Sequence, residues 1–111
     1  MRINILKLFV LLLIDYYSPH GYELMKKISD LTNNILKPGP GTIYPLLFLL
    51  EKQGLIRKIV DNGRKRYCLT DLGRKFLYSN LDRLKKMIEE LNRIIEIELK
   101  RKEIYESNHG N

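Results

Sequence analysis

One cysteine, Cys68, in a chain of 111 residues excludes an internal disulfide and any zinc cluster built on cysteine. It falls in a strand-like run and reads as a small apolar residue. Tryptophan is absent, so the simplest flat aromatic clamp for a planar ligand is missing. There are two histidines; His20 with Glu23 would make two metal ligands with no third, and no metal or cofactor is expected. No Walker loop, nucleophile–base arrangement or pair of catalytic carboxylates occurs, so no catalytic residue is assigned and no enzyme is expected. The apolar run "ILKLFVLLLIDYY" is interrupted by Lys7, is too short to span a bilayer and carries no small-residue cleavage site. The default expectation is a cytoplasmic protein with no membrane partner. Internal repeats and low-complexity linkers are also missing.

What is present is a length that fits one domain and a composition, 44% hydrophobic and 30% charged, that fits a folded chain. The net charge is +7, and its location says more than its size. Residues 37–76 hold nine Lys/Arg against three Asp/Glu, whereas residues 77–111 hold seven of each. A basic middle third points to a polyanion, nucleic acid ahead of membrane.

Apolar residues from Asn4 to Tyr16 cover most of a helix circumference, so this first helix must be covered by its own domain or by a partner subunit. Ser18-Pro19 reads as a cap followed by a first helical proline, which predicts a second helix from there to about Asn33-Asn34. Its apolar positions are Tyr22, Leu24, Met25, Ile28 and Leu31, with Tyr22 expected in the core. A third helix is predicted from Gly39-Pro40 to Gln53, with Gly54 as its left-handed stop. Asp61-Asn62-Gly63-Arg64 then signals a two-stranded hairpin, because a tight primed turn needs positive φ at both central residues. Thr70 caps a last helix, expected from Asp71 to about Tyr105. Leu77, Leu81, Leu84, Ile88, Leu91 and Ile95 recur along it at alternating four- and three-residue steps, a seam suited to a second copy of the chain. Residues 107–111 read as a flexible tail.

Three helices, a basic hairpin and a long helix make a mainly α fold with a small β-hairpin. This is the winged helix-turn-helix plan: residues 1–73 as the DNA-binding domain and residues 74–106 as a long C-terminal dimerisation helix. In such a plan the third helix enters the major groove and the hairpin, or wing, lies along the neighbouring backbone. The start of that helix suits a phosphate, since its N–H groups and dipole are positive. Gly39 and Gly41 carry no side chain to hold the backbone away, and Lys37 adds charge upstream.

The ordered fragments "His20-Gly-Tyr-Glu-Leu", "Pro40-Gly-Thr-Ile-Tyr-Pro-Leu-Leu", "Leu50-Glu", "Gly54-Leu-Ile", "Gly63-Arg-Lys-Arg-Tyr" and "Leu69-Thr-Asp-Leu-Gly" resemble the PadR family of transcriptional regulators. The likeness runs from about Leu6 to Leu77. It implies a winged-helix homodimer on double-stranded operator DNA, usually a repressor, in which the first and last helices form the dimer. Some members release DNA on binding a small aromatic or drug-like ligand, often near the subunit interface, so the resemblance leaves room for such an effector. Two positions depart from the pattern: Gly39 commonly holds Ser, and Phe48 and Leu49 commonly hold polar or basic residues. The pair either widens the core contact of the third helix or leaves an apolar patch on it.

The expected DNA-binding residues are therefore Lys37, Gly39, Gly41, Thr42, Tyr44, Pro45, Arg64, Lys65 and Arg66. Strand alternation sends Lys65 and Arg66 to opposite faces, so these cations cannot all reach DNA equally. The expected dimer interface is Leu6, Phe9, Val10, Leu77, Leu81, Leu84, Ile88, Leu91 and Ile95. Two reading heads so joined predict an inverted-repeat site. A nonspecific DNA-coating protein, and a protein-interaction module using Phe48 and Leu49, are the competing readings.

Overall fold

The computed structural model describes residues 4–110. The element order is α1 (Ile5–Tyr17), α2 (Gly21–Leu31), α3 (Pro40–Lys52), β1 (Ile56–Asp61), β2 (Arg64–Leu69) and α4 (Asp71–His109). The chain divides into two compact units, Met1–Ser79 and Asn80–Asn111. The first contains α1 to α3, the hairpin and the opening turns of α4; the second is the remainder of α4.

The core of the first unit is made by Leu8, Val10, Leu11 and Ile14 of α1, Leu24 and Ile28 of α2, Ile43, Leu47 and Leu50 of α3, Tyr67 and Leu69 of β2, and Leu77. Val10 and Leu77, expected at a dimer interface, have no exposed surface. They are consumed by the protomer's own core and have nothing to offer a second copy. Leu6 and Phe9 are half-buried.

α1 starts where Asn4 accepts the N–H of Leu6 at 3.0 Å. It ends at Ser18, which is left-handed at φ 47°. Ser18 is thus the end of one helix and not the cap of the next, and Pro19 is not helical. The pair docks the chain on β2 instead: the Ser18 hydroxyl donates to the Tyr67 carbonyl at 3.1 Å, and the Tyr67 N–H donates to the Pro19 carbonyl at 3.0 Å. The start of α2 is deferred to His20, whose backbone N–H is accepted by the Glu23 carboxylate at 3.1 Å, as in half of a capping box.

α3 begins at Pro40 with Gly39 as its cap and stops where Gly54 adopts φ 74°. Leu55 N–H returns to the Leu50 carbonyl and Gly54 N–H to that of Glu51, at 3.0 and 2.9 Å, which satisfies the carbonyls a helix end leaves open. The hairpin pairs Asp61 with Arg64 across Asn62 (φ 50°) and Gly63 (φ 76°), as a tight primed turn requires. Thr70 accepts the Gly73 N–H at 3.0 Å and donates to the Gly54 carbonyl. Its own N–H reaches the Leu55 carbonyl at 3.0 Å, so one residue both starts α4 and fastens it to the end of α3.

α4 continues to His109, beyond the expected limit at 106. Residues 107–109 are helical, not a loose tail: the Tyr105 and His109 rings stack at 4.2 Å, and His109 Nδ1 lies 2.9 Å from the Tyr105 carbonyl. Asn111, the end of the expected tail, lies outside the described residues.

Candidate nucleic-acid interface

The wing, the start of α2 and one residue of α3 enclose an open cleft of about 590 Å³. It is lined by His20, Gly21, Tyr22, Glu23, Tyr44, Gly63, Arg64, Lys65 and Tyr67. Three residues singled out from the sequence, Tyr44, Arg64 and Lys65, therefore meet at one place. Lys37, Gly39, Gly41, Thr42 and Pro45 line no part of that cleft; Pro45 and the two glycines, like Lys37 and Thr42, are solvent-exposed around the start of α3.

Tyr44 is held by a close approach. A Cβ on Gly21 would sit 2.8 Å from Tyr44 Cε1, so only glycine lets the ring lie flush on the start of α2. The ring is still 46% exposed. Packing against α2 and an open face toward solvent thus coexist. Beneath it, Tyr67 is buried, and burial, then the nearby Glu51 carboxylate and Tyr44, push its phenol pKa upward.

The wing's cations divide as alternation requires. Arg64 and Lys65 are exposed. Arg66 is half-buried, with Nη1 3.7 Å from Asp61 and Nε enclosed without a hydrogen-bond partner among the described residues. It is committed largely to the hairpin itself. His20 links this wing to α2: its Nδ1 stands 3.0 Å from the Lys65 carbonyl, its Nε2 is 3.4 Å from Glu23, and its backbone bridges to Arg66. Lys58 is turned toward Glu51 at 3.5 Å, which leaves Arg57 as the freer cation of β1.

At the start of α3, Pro40 has no N–H, and those of Thr42 and Ile43 are donated to the Gly39 carbonyl at 3.1 and 3.0 Å. The Gly41 N–H has no protein acceptor among the described residues and is left for an outside oxygen. Neither Gly39 nor Gly41 is demanded by the fold, since a Cβ at either would meet nothing within 4 Å.

One feature escaped the sequence reading, and a second was left open by it. Tyr22, expected in the core, is 71% exposed and lines the cleft beside Tyr44. The signal was available: Leu24 and Ile28 fix the buried face of α2, and Tyr22 lies two residues, about 200°, away from Leu24. Phe48 and Leu49 are also exposed, at 61% and 47%, so the apolar patch is the outcome of the two left open.

Comparison with known proteins agrees with this geometry. The profile of the "Transcriptional regulator PadR-like family" matches residues 10–79. "Transcriptional regulator YqjI" of Escherichia coli is 40% identical over 86 residues, 77% of this chain and 41% of that protein. The chain thus spans about two-fifths of the length of that curated relative. Among solved structures, a PadR-like transcriptional regulator from Bacillus cereus is similar with a TM-score of 0.70 at 26% identity, over 82% of this chain and 91% of that one. Bacillus subtilis PadR, solved in complex with operator DNA, shares the fold with a TM-score of 0.60 at 24% identity, over 73% of this chain and 48% of that one. With a winged helix-turn-helix in place and the family's profile covering most of it, the chain belongs to the PadR-like family of transcriptional regulators.

Proposed function

We propose that this chain is a cytoplasmic, homodimeric repressor that binds an inverted-repeat operator in double-stranded DNA. The observation that carries the reading is the meeting of Tyr44 with the exposed wing cations Arg64 and Lys65 in one open cleft. Around it, Lys37, Thr42, Pro45 and the bare backbone of Gly39 and Gly41 bring a positive helix start to the same partner. Arg66 supports the wing more than it touches DNA.

Dimerisation is assigned to α4. Ile88, Leu91 and Ile95 are 55%, 50% and 52% exposed, a cost that a second copy of the stripe would remove. Leu81 and Leu84, half-buried, extend the stripe toward the N-terminal side, with Leu6 and Phe9 of α1 in support.

Fluorescence titration of the full chain with duplex DNA at several salt concentrations tests the reading. Arg64→Ala with Lys65→Ala should weaken binding about tenfold or more and reduce the salt slope by roughly two, one for each phosphate no longer neutralised. Unchanged affinity and slope would remove the wing from the interface.

A further inference from the structure

The outward stripe of α3 is unlike a surface built to read purine edges. It runs Gly41, Thr42, Pro45, Phe48, Leu49 and Lys52, all exposed. Arg, Asn, Gln, His and Ser are absent from Pro40–Lys52, so the only outward side chains that can hydrogen-bond a purine edge in the major groove are Thr42 at one end of the stripe and Lys52 at the other. Between them stand an exposed phenyl ring and an exposed leucine side by side. One major-groove feature is matched by an apolar side chain, the C5-methyl group of thymine.

We propose that Phe48 and Leu49, with Pro45 beside them, read thymine methyl groups in the major groove. The proposal rests on the DNA-binding reading above and names what that surface would recognise. Duplex DNA is favoured over another apolar partner because the patch is continuous with the rest of the interface and is framed by positive charge. Lys52 Nζ lies 5.5 Å from the centre of the Phe48 ring, and Lys37 precedes the helix. The acidic Glu51 is drawn off to Lys58. An apolar strip between cations is complementary to a methyl-lined groove between phosphates.

The test compares the full chain on two duplexes of identical length and charge: one of A·T pairs, the other with every thymine replaced by deoxyuridine. Each methyl that is touched should contribute about fourfold in affinity, so the thymine duplex should bind more tightly by at least that factor. A Phe48→Ala, Leu49→Ala variant, whose folding is checked by circular dichroism, has side chains too short to reach the methyl groups and adds no hydrogen-bonding group, so it should bind both duplexes alike, close to the wild-type affinity for the deoxyuridine duplex. Equal binding of the two duplexes by the wild type, which needs no variant, would overturn the inference while leaving DNA binding intact. A thymine preference that survives in the variant would also overturn it. So would a variant that keeps wild-type DNA binding but loses self-association, which would make the patch an interface between copies. Failure to bind either duplex would remove the DNA-binding reading itself.

Discussion

Gly41 and Gly73 both lie in the first turn of a helix, yet their surroundings are opposite. A Cβ on Gly73 would fall 1.9 Å from the Leu55 carbonyl oxygen, a clash with backbone that no rotamer relieves. Gly73→Ala should therefore destabilise the fold by about 3 kcal/mol, read as a lower urea midpoint. Gly41→Ala meets open space and should raise stability by roughly 0.5 kcal/mol while weakening duplex binding severalfold, because the added methyl stands where a phosphate would approach. If this variant bound DNA as well as wild type, the start of α3 would have no phosphate on it. Tyr67 has its phenol pKa raised in the folded chain by burial first. Its contribution to stability is complete below the unfolded value and is lost as pH rises through the folded one. Wild type should thus lose more stability than Tyr67→Phe as pH is taken above about 10 in denaturant titrations.

At the scale of elements, the wing is held by its turn and by His20. His20→Ala removes the imidazole from the Lys65 carbonyl and from its contact with the Glu23 carboxylate, and should cost about 1 kcal/mol of stability together with a severalfold loss of duplex affinity. A stability loss with unaltered DNA binding would show that wing position does not matter to the partner. The turn itself, like α3 and its stop at Gly54, was legible in the sequence because each is set by short-range chemistry: Asn-Gly for the turn, Gly-Pro at one helix end and Gly at the other. The start of α2 was not. Ser18-Pro19 carries a strong local signal for a helix start, but its hydrogen-bonding groups are taken by Tyr67 of β2, which lies 49 residues beyond Ser18. Long-range pairing overrides a local cap. Tyr22 was misplaced because an aromatic counts as apolar in a periodicity, although Leu24 and Ile28 already defined the buried face. Of the candidate site, Tyr44, Arg64 and Lys65 were named one by one in the sequence, and their meeting in one cleft needed the fold; alternation already sent Lys65 and Arg66 to opposite faces, but which of the two faces solvent needed the hairpin's register.

On the whole-molecule scale, the excess of positive charge and the exposed Ile/Leu stripe of α4 occupy different parts of the chain. The basic excess lies in residues 37–76, the α3 and wing region. α4 beyond Asn80 is balanced in sign and laced by local ion pairs, Lys85 with Glu89, Glu90 with Arg93, Glu98 with Arg101 and Lys102 with Glu106. The Arg93 guanidinium, by hydrogen bond and then by charge, holds the Glu90 carboxyl below its usual pKa. Those pairs support an exposed helix locally, whereas Ile88, Leu91, Ile94 and Ile95 are open to solvent, where the proposed second copy would cover them. Leu91→Glu with Ile95→Glu leaves the core of the first unit untouched, so it should yield folded monomers by sedimentation whose duplex affinity is reduced at least tenfold; a stable dimer would place the interface elsewhere.

In the proposed complex, two such chains press two α3–wing surfaces onto one duplex. Selection of bound sequences from a random duplex library, followed by footprinting of the enriched fragments, tests it most directly. The expected result is an inverted repeat with two protected half-sites, their centres separated by about one helical turn, roughly 10 base pairs, or a multiple of it. Recovery of fragments with no common sequence, or of a single unrepeated site bound by one chain, would contradict it.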